Sequence, residues 1–147
     1  MTCPEIRKTV PTVFWDWNGT LLDDTSAALA ALNRMLRRRA LPAIDLAFYR
    51  AHFAFPVNPF YAAIGINPER EDWDAIAVEY HAAYADEPKA LNAGALPALE
   101  AVRAADARQS ILSVHRQDLL ERDAARYGIA GYMDSIAGTD NLHGASK

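Results

Sequence analysis

A short β-rich apolar segment, Thr9 to Trp15, breaks off at a carboxylate, Asp16, and runs into a turn-forming cluster, Asn18-Gly19-Thr20. Few folds tolerate an acid between Trp15 and Trp17 at the tip of an apolar strand, because burying a charge without a partner or a role is costly. Pro11 suits only an early or irregular place in that strand. Later in the chain Gln109-Ser110-Ile111-Leu112-Ser113-Val114 reads as a second strand. Asp118 to Tyr127 reads as a helix closed by Gly128, and Ser135-Ile136-Ala137-Gly138 as a brief third strand. Strand, helix and strand in alternation imply an α/β fold, a parallel sheet of about three strands covered by helices. Ligands of open α/β sheets bind outside the carboxyl ends of the strands, where Asp16 falls.

The stretch from Asp23 to about Leu91 shows no convincing strand. Asp23, Asp24, Thr25 and Ser26 can each cap a helix over Ala27 to Arg39, whose Leu29, Leu32, Met35 and Leu36 share a face. Further helices are expected around Asp45 to Phe53, Phe60 to Ile64 and Glu71 to Tyr84, with Trp73 and Tyr80 in the core. Pro56 and Pro59 stiffen the loop after Phe55. Such a block is too long for a simple crossover, so 23–91 reads as an all-helical insertion between 1–22 and 92–147. Leu96 to Ala105 opens the second core segment as a helix.

Charge and cysteine content narrow the function. The net charge is −4 and the only dense basic run is Arg37-Arg38-Arg39, which reads as a solvated helix face. That pattern speaks against a nucleic-acid partner. Cys3 is the single cysteine, which excludes an intrachain disulfide and a cysteine-only metal site. No run approaches the ~20 apolar residues a membrane helix needs, and the first ten residues lack a signal-like apolar stretch. A cytoplasmic protein with no membrane partner is expected.

Val13-Phe14-Trp15-Asp16-Trp17-Asn18-Gly19-Thr20-Leu21-Leu22 resembles the first motif of the haloacid dehalogenase superfamily, an apolar strand followed by Asp-x-Asp-x-Thr and leucines. Ile111-Leu112-Ser113 resembles the second motif, and Lys147, after Gly138-Thr139-Asp140-Asn141, the third-motif lysine. The helical block lies where this family inserts its cap. The resemblance implies a Rossmann-like core and a phosphatase similar to phosphoglycolate phosphatases, acting on a small phosphorylated metabolite. Asp16 would form an aspartyl-phosphate, splitting one displacement into two. Ser113 would bind a phosphoryl oxygen, Lys147 would offset negative charge, and Thr20 would steady the loop on Gly19. Mg²⁺ would be held by the Asp16 carboxylate, the Asn18 carbonyl and later carboxylates. His115 and Arg116 are expected at the mouth of the site. Tyr49, His52, Phe53, Phe55, Pro56 and Phe60 form an aromatic stretch suited to substrate selection by the cap, with Phe53 and Phe55 as the contacts; His143 matches no motif.

Asn18 departs from the pattern, because it stands where family phosphatases usually carry the acid–base aspartate. Loss of a positioned proton donor typically lowers the rate by about 10²–10⁴-fold, least for leaving groups of low pKa. The acidic pair of the family's fourth motif is expected some tens of residues beyond Lys147, since Asp134 and Asp140 match other positions. The chain is therefore expected to be a fragment, or the ordered part, of a longer protein, and to be inactive or impaired alone. Its first strand would be left as a sheet edge, which a homodimer or a partner could complete. Two other readings stay open: a metal-independent dehalogenase, and a phosphate-binding or interaction protein that has lost its catalytic acid.

Overall fold

The computed structural model describes residues 10–67 and 69–140. Three strands, β1 (Thr12–Trp15), β4 (Arg108–Arg116) and β5 (Ser135–Thr139), form a parallel sheet in the order β1-β4-β5. Trp15 pairs with Ile111, and Ile111 with Ile136. Pro11 sits just before β1, where its carbonyl still accepts from the Arg108 amide at 2.9 Å. Two helices, α5 (Ala95–Ala104) and α6 (Gln117–Arg126), pack on the sheet, and Gly128 (φ 72°) ends the turn after α6. The α/β, Rossmann-like arrangement expected from the alternation is present.

Side chains alternate across a strand, so each strand has a covered and an uncovered face. Ile111 points into a core of Trp17, Leu22, Leu99, Leu120 and Ile129. Phe14 and Leu112, on the opposite parity, are 66% and 42% exposed. β1 is an edge of the described sheet. Gly138 lets β5 close on the end of β4, since a Cβ there would lie 2.4 Å from the His115 carbonyl oxygen.

Four helices lie between β1 and α5: α1 (Thr25–Arg38), α2 (Leu46–His52), α3 (Asn58–Ala63) and α4 (Trp73–Asp86). The expected absence of strands needs one correction. β2 (Leu22–Asp23) pairs antiparallel with β3 (Ala90–Leu91), so a two-residue ladder brackets the helical segment. Alanines at 27, 28, 31 and 83 are buried between α1 and α4, where small side chains let the helices approach. A larger cluster gathers Leu32, Met35, Leu36, Phe60, Tyr61 and Ile76. Asp45 and Asp72 cap α2 and α4, accepting from Phe48 N at 2.7 Å and Asp74 N at 2.9 Å. No helix among the described residues is long and apolar enough to cross a membrane.

The arginine run is not uniformly solvated. Arg37 is exposed, but Arg39 bonds Glu71 at 2.7 Å and Glu79 at 2.8 Å, which ties the end of α1 to α4. The Arg39 hydrogen bond holds the Glu79 carboxyl below its usual range. A lowered carboxyl stabilises the fold fully above the unfolded glutamate value of about 4.3, and the contribution disappears as pH falls through the lower folded value. Arg39→Ala should lower unfolding free energy by about 1–3 kcal/mol at pH 7, because it removes charge-assisted hydrogen bonds that are only partly screened. Chemical denaturation at pH 7 and again near pH 3 checks this, with a smaller gap expected in acid.

Candidate active site

Asp16 follows β1 directly and opens on a cavity of about 440 Å³ between the sheet's carboxyl edge and the helical segment. Asn18 and Gly19 line the same cavity, as do Val114, His115 and Arg116 from the end of β4. Gly19 holds φ 71°, a left-handed turn that glycine adopts without strain. From the helical side come Phe53, Phe55 and several further aromatic rings. The ends of β1 and β4 and the loop after α2 thus bring Asp16, Asn18, Gly19, His115, Arg116, Phe53 and Phe55 to one place.

Ser113 and Thr20 are not brought there, nor are His52, Pro56 and Phe60 of the aromatic stretch. Ser113 is buried and does not line the cavity; its Oγ accepts from the His115 amide at 3.1 Å. The reason is strand length: β4 runs on to Arg116, with a register irregularity between Leu112 and Arg116, so His115 and Arg116 occupy the strand end and Ser113 stays behind it. Thr20 is exposed and outside the cavity, with its carbonyl accepting from Asn92 Nδ2 at 2.6 Å. His52 is exposed, stacked on Phe48, and likewise outside. Lys147 and His143 lie outside the described residues.

The centre of the site is a hydrogen-bonded knot that local sequence reading assigned to helix capping. Asp24 makes no side-chain cap bond to α1. Its Oδ1 accepts from the Gly19 amide at 2.8 Å, and its Oδ2 accepts from Asn18 Nδ2 at 2.7 Å and from the Tyr84 hydroxyl at 2.6 Å. Asn18 Nδ2 also donates to the Tyr84 oxygen at 3.2 Å. The loop after β1 is thereby fastened to α4. Trp73 and Tyr80, expected as core, pack in the core and also line the cavity, as does Tyr61; His81 lines the cavity beside them.

Burial sets the protonation states. It pushes the Tyr49 phenol up to about 12 and raises those of Tyr61, Tyr80 and Tyr84 as well, so all four are neutral at pH 7. Burial pushes the His115 imidazole down, against the pull of Asp123 and Asp24; Asp123 Oδ2 lies 3.9 Å from Nε2. His115 is therefore neutral at pH 7. Arg116 is turned onto Asp118, with contacts of 2.5 and 2.7 Å.

Donor chemistry allows a hard cation. The Asp16 carboxylate and the Asn18 main-chain carbonyl are oxygen donors, and Mg²⁺ characteristically uses one or two carboxylates, water and phosphate. Asp24 is committed to the knot. No group of three or more His, Cys, Asp or Glu able to hold a metal occurs among the described residues, so the fit is to a shared, incomplete ligand set.

A family model for haloacid dehalogenase-like hydrolases matches residues 13–147. No curated protein gives a significant match. Among solved structures, a predicted phosphatase from Clostridium acetobutylicum superposes with TM-score 0.71 at 16% identity, covering 92% of this chain and 63% of its own. A predicted phosphoglycolate phosphatase from Haemophilus somnus gives 0.70 at 13% identity, covering 93% and 65%. Protein Tyrosine Kinase A of Mycobacterium tuberculosis gives 0.72 at 24%, covering 90% and 62%. At these identities the likeness is one of fold, and the chain spans a little under two thirds of each of these structures.

Proposed function

The chain belongs to the haloacid dehalogenase-like hydrolase family, and from that membership we propose that it forms the nucleophile-bearing part of a Mg²⁺-dependent phosphomonoester hydrolase. The observation that carries the reading is the position of Asp16, at a strand tip and on a cavity shared with the end of β4. An Asp16 carboxylate oxygen bonds to phosphorus as the ester P–O bond breaks, and the electron pair leaves on the ester oxygen. Water then cleaves the acyl phosphate, releasing inorganic phosphate and restoring the carboxylate. Dividing the displacement lowers each barrier.

The remaining residues position and shield. The Asp24 knot holds the Gly19 turn at the cavity wall, so the loop carrying Asp16 is ordered before substrate arrives. Segment 23–91 serves as a cap whose aromatic wall excludes water from the reacting atoms. Mg²⁺, held by the Asp16 carboxylate and the Asn18 carbonyl, would supply positive charge for the phosphoryl oxygens. Fold-level likeness to phosphatases supports the reaction class.

The test is hydrolysis of phenyl phosphate by the full-length protein with Mg²⁺ and after chelation. Turnover should fall to background when Mg²⁺ is removed and return on its addition. Chelation-resistant release of halide from a 2-haloacid would instead establish the dehalogenase. Absence of either activity, with phosphate still bound, would establish a binding protein.

A further inference from the structure

Resting on that phosphatase reading, we propose that the ester group accepted here is aromatic and uncharged, so that the substrate is an aryl phosphate with a phenolic leaving group. Two independent observations meet in this assignment: the make-up of the cavity wall and the hydrogen bonding of Asn18.

The helical segment gives the cavity Tyr49, Phe53, Phe55, Tyr61, Trp73 and Tyr80. Among the described lining residues it contributes no lysine and no arginine. The phenols on this wall stay neutral, and Arg116, on the sheet side, is already paired with Asp118. A carboxylate on the leaving group would meet a largely aromatic wall to which the helical segment brings His81 but no permanent positive charge, which is unfavourable. An aromatic ring meets a prepared surface: Phe53 and Phe55 stand edge to face at 5.5 Å, and Tyr61 and Trp73 at 5.3 Å. A further ring can join such edge-to-face arrays with favourable quadrupole contacts. The volume, about 440 Å³, is in the ordinary range for a small-molecule site and has room for a ring beside a phosphoryl group.

Asn18 bears on the same group from the chemical side. It stands where a proton donor to the leaving oxygen is expected, yet both Nδ2 hydrogens are directed to Asp24 and Tyr84. A leaving oxygen therefore departs without a proton from this side chain. Phenols ionise near ~10, far below alkyl alcohols, so a phenolate can accept the electron pair of the breaking P–O bond unaided and take its proton from water afterwards. An alkyl phosphate lacks that option.

The full-length protein with Mg²⁺ should hydrolyse phenyl phosphate with kcat/KM at least about tenfold above that for 2-phosphoglycolate. Across ring-substituted phenyl phosphates, kcat/KM should fall steeply as the leaving-group pKa rises. Phe55→Ala, at a half-exposed position, should raise KM for phenyl phosphate about three- to tenfold and raise that for 2-phosphoglycolate clearly less. Equal or better turnover of 2-phosphoglycolate, or rates independent of leaving-group pKa, would overturn the aryl assignment while leaving a phosphatase. Turnover of neither ester above an Asp16→Asn control would overturn both.

Discussion

Asp16→Asn is expected to lower kcat for phosphomonoester hydrolysis by at least about 10³-fold, because an amide cannot form the acyl-phosphate on which the two-step route depends. The substitution preserves side-chain volume and removes one negative charge beside the incoming dianion, so substrate affinity should hold or improve. The split between kcat and KM is therefore diagnostic. A distorted site would lower kcat and raise KM, whereas loss of the nucleophile lowers kcat alone. Thermal unfolding of the variant should stay within a few degrees of the parent. Retention of more than about a tenth of the parent kcat would show that another group carries the chemistry.

Asp24→Ala should be the most destabilising change at the site, at about 3–5 kcal/mol. Three donors, the Gly19 amide, Asn18 Nδ2 and the Tyr84 hydroxyl, lose their acceptor, the last in a buried setting and the other two in a part-buried one, and each donor left unsatisfied away from water costs about 1–3 kcal/mol before relaxation. Tyr84→Phe removes one donor and should cost about 1–2 kcal/mol. The graded pair separates a network from a cap. An ordinary N-cap acid replaced by alanine costs about 1 kcal/mol, and Tyr84→Phe would then cost nothing. Denaturant unfolding of both variants distinguishes these cases, and a loss under about 1 kcal/mol for Asp24→Ala would dismiss the knot.

Sequence periodicity carried most of the fold because the elements here follow their local rules. The apolar spacing from Leu29 to Leu36, the glycine after α6 and the acids at the starts of α2 and α4 all act within one or two turns. What escaped depended on distance. Two-residue strands such as β2 and β3 have no period to detect, and their pairing joins residues 22 and 91. The strand read as Gln109 to Val114, with Ser113 near its tip, instead continues through His115 to Arg116, and Asp123 of α6 faces the His115 imidazole. Asp24 offered a capping signature that its partners on Gly19 and Tyr84 override. Arg39 looked solvated because Glu71 and Glu79 lie more than thirty residues away along the chain. Trp73 and Tyr80 read correctly as packed residues, yet a hydrophobic pattern does not say which packed residues also border an opening.

The most direct measurement is rapid acid quench of the full-length protein during turnover of phenyl phosphate with Mg²⁺, followed by peptide mass spectrometry. A phosphoryl group should be found on the peptide containing Asp16, should vanish with Asp16→Asn, and should decay at the rate phosphate is released. Steady turnover with Asp16 never modified, or with the phosphoryl group on a different side chain, would contradict the account.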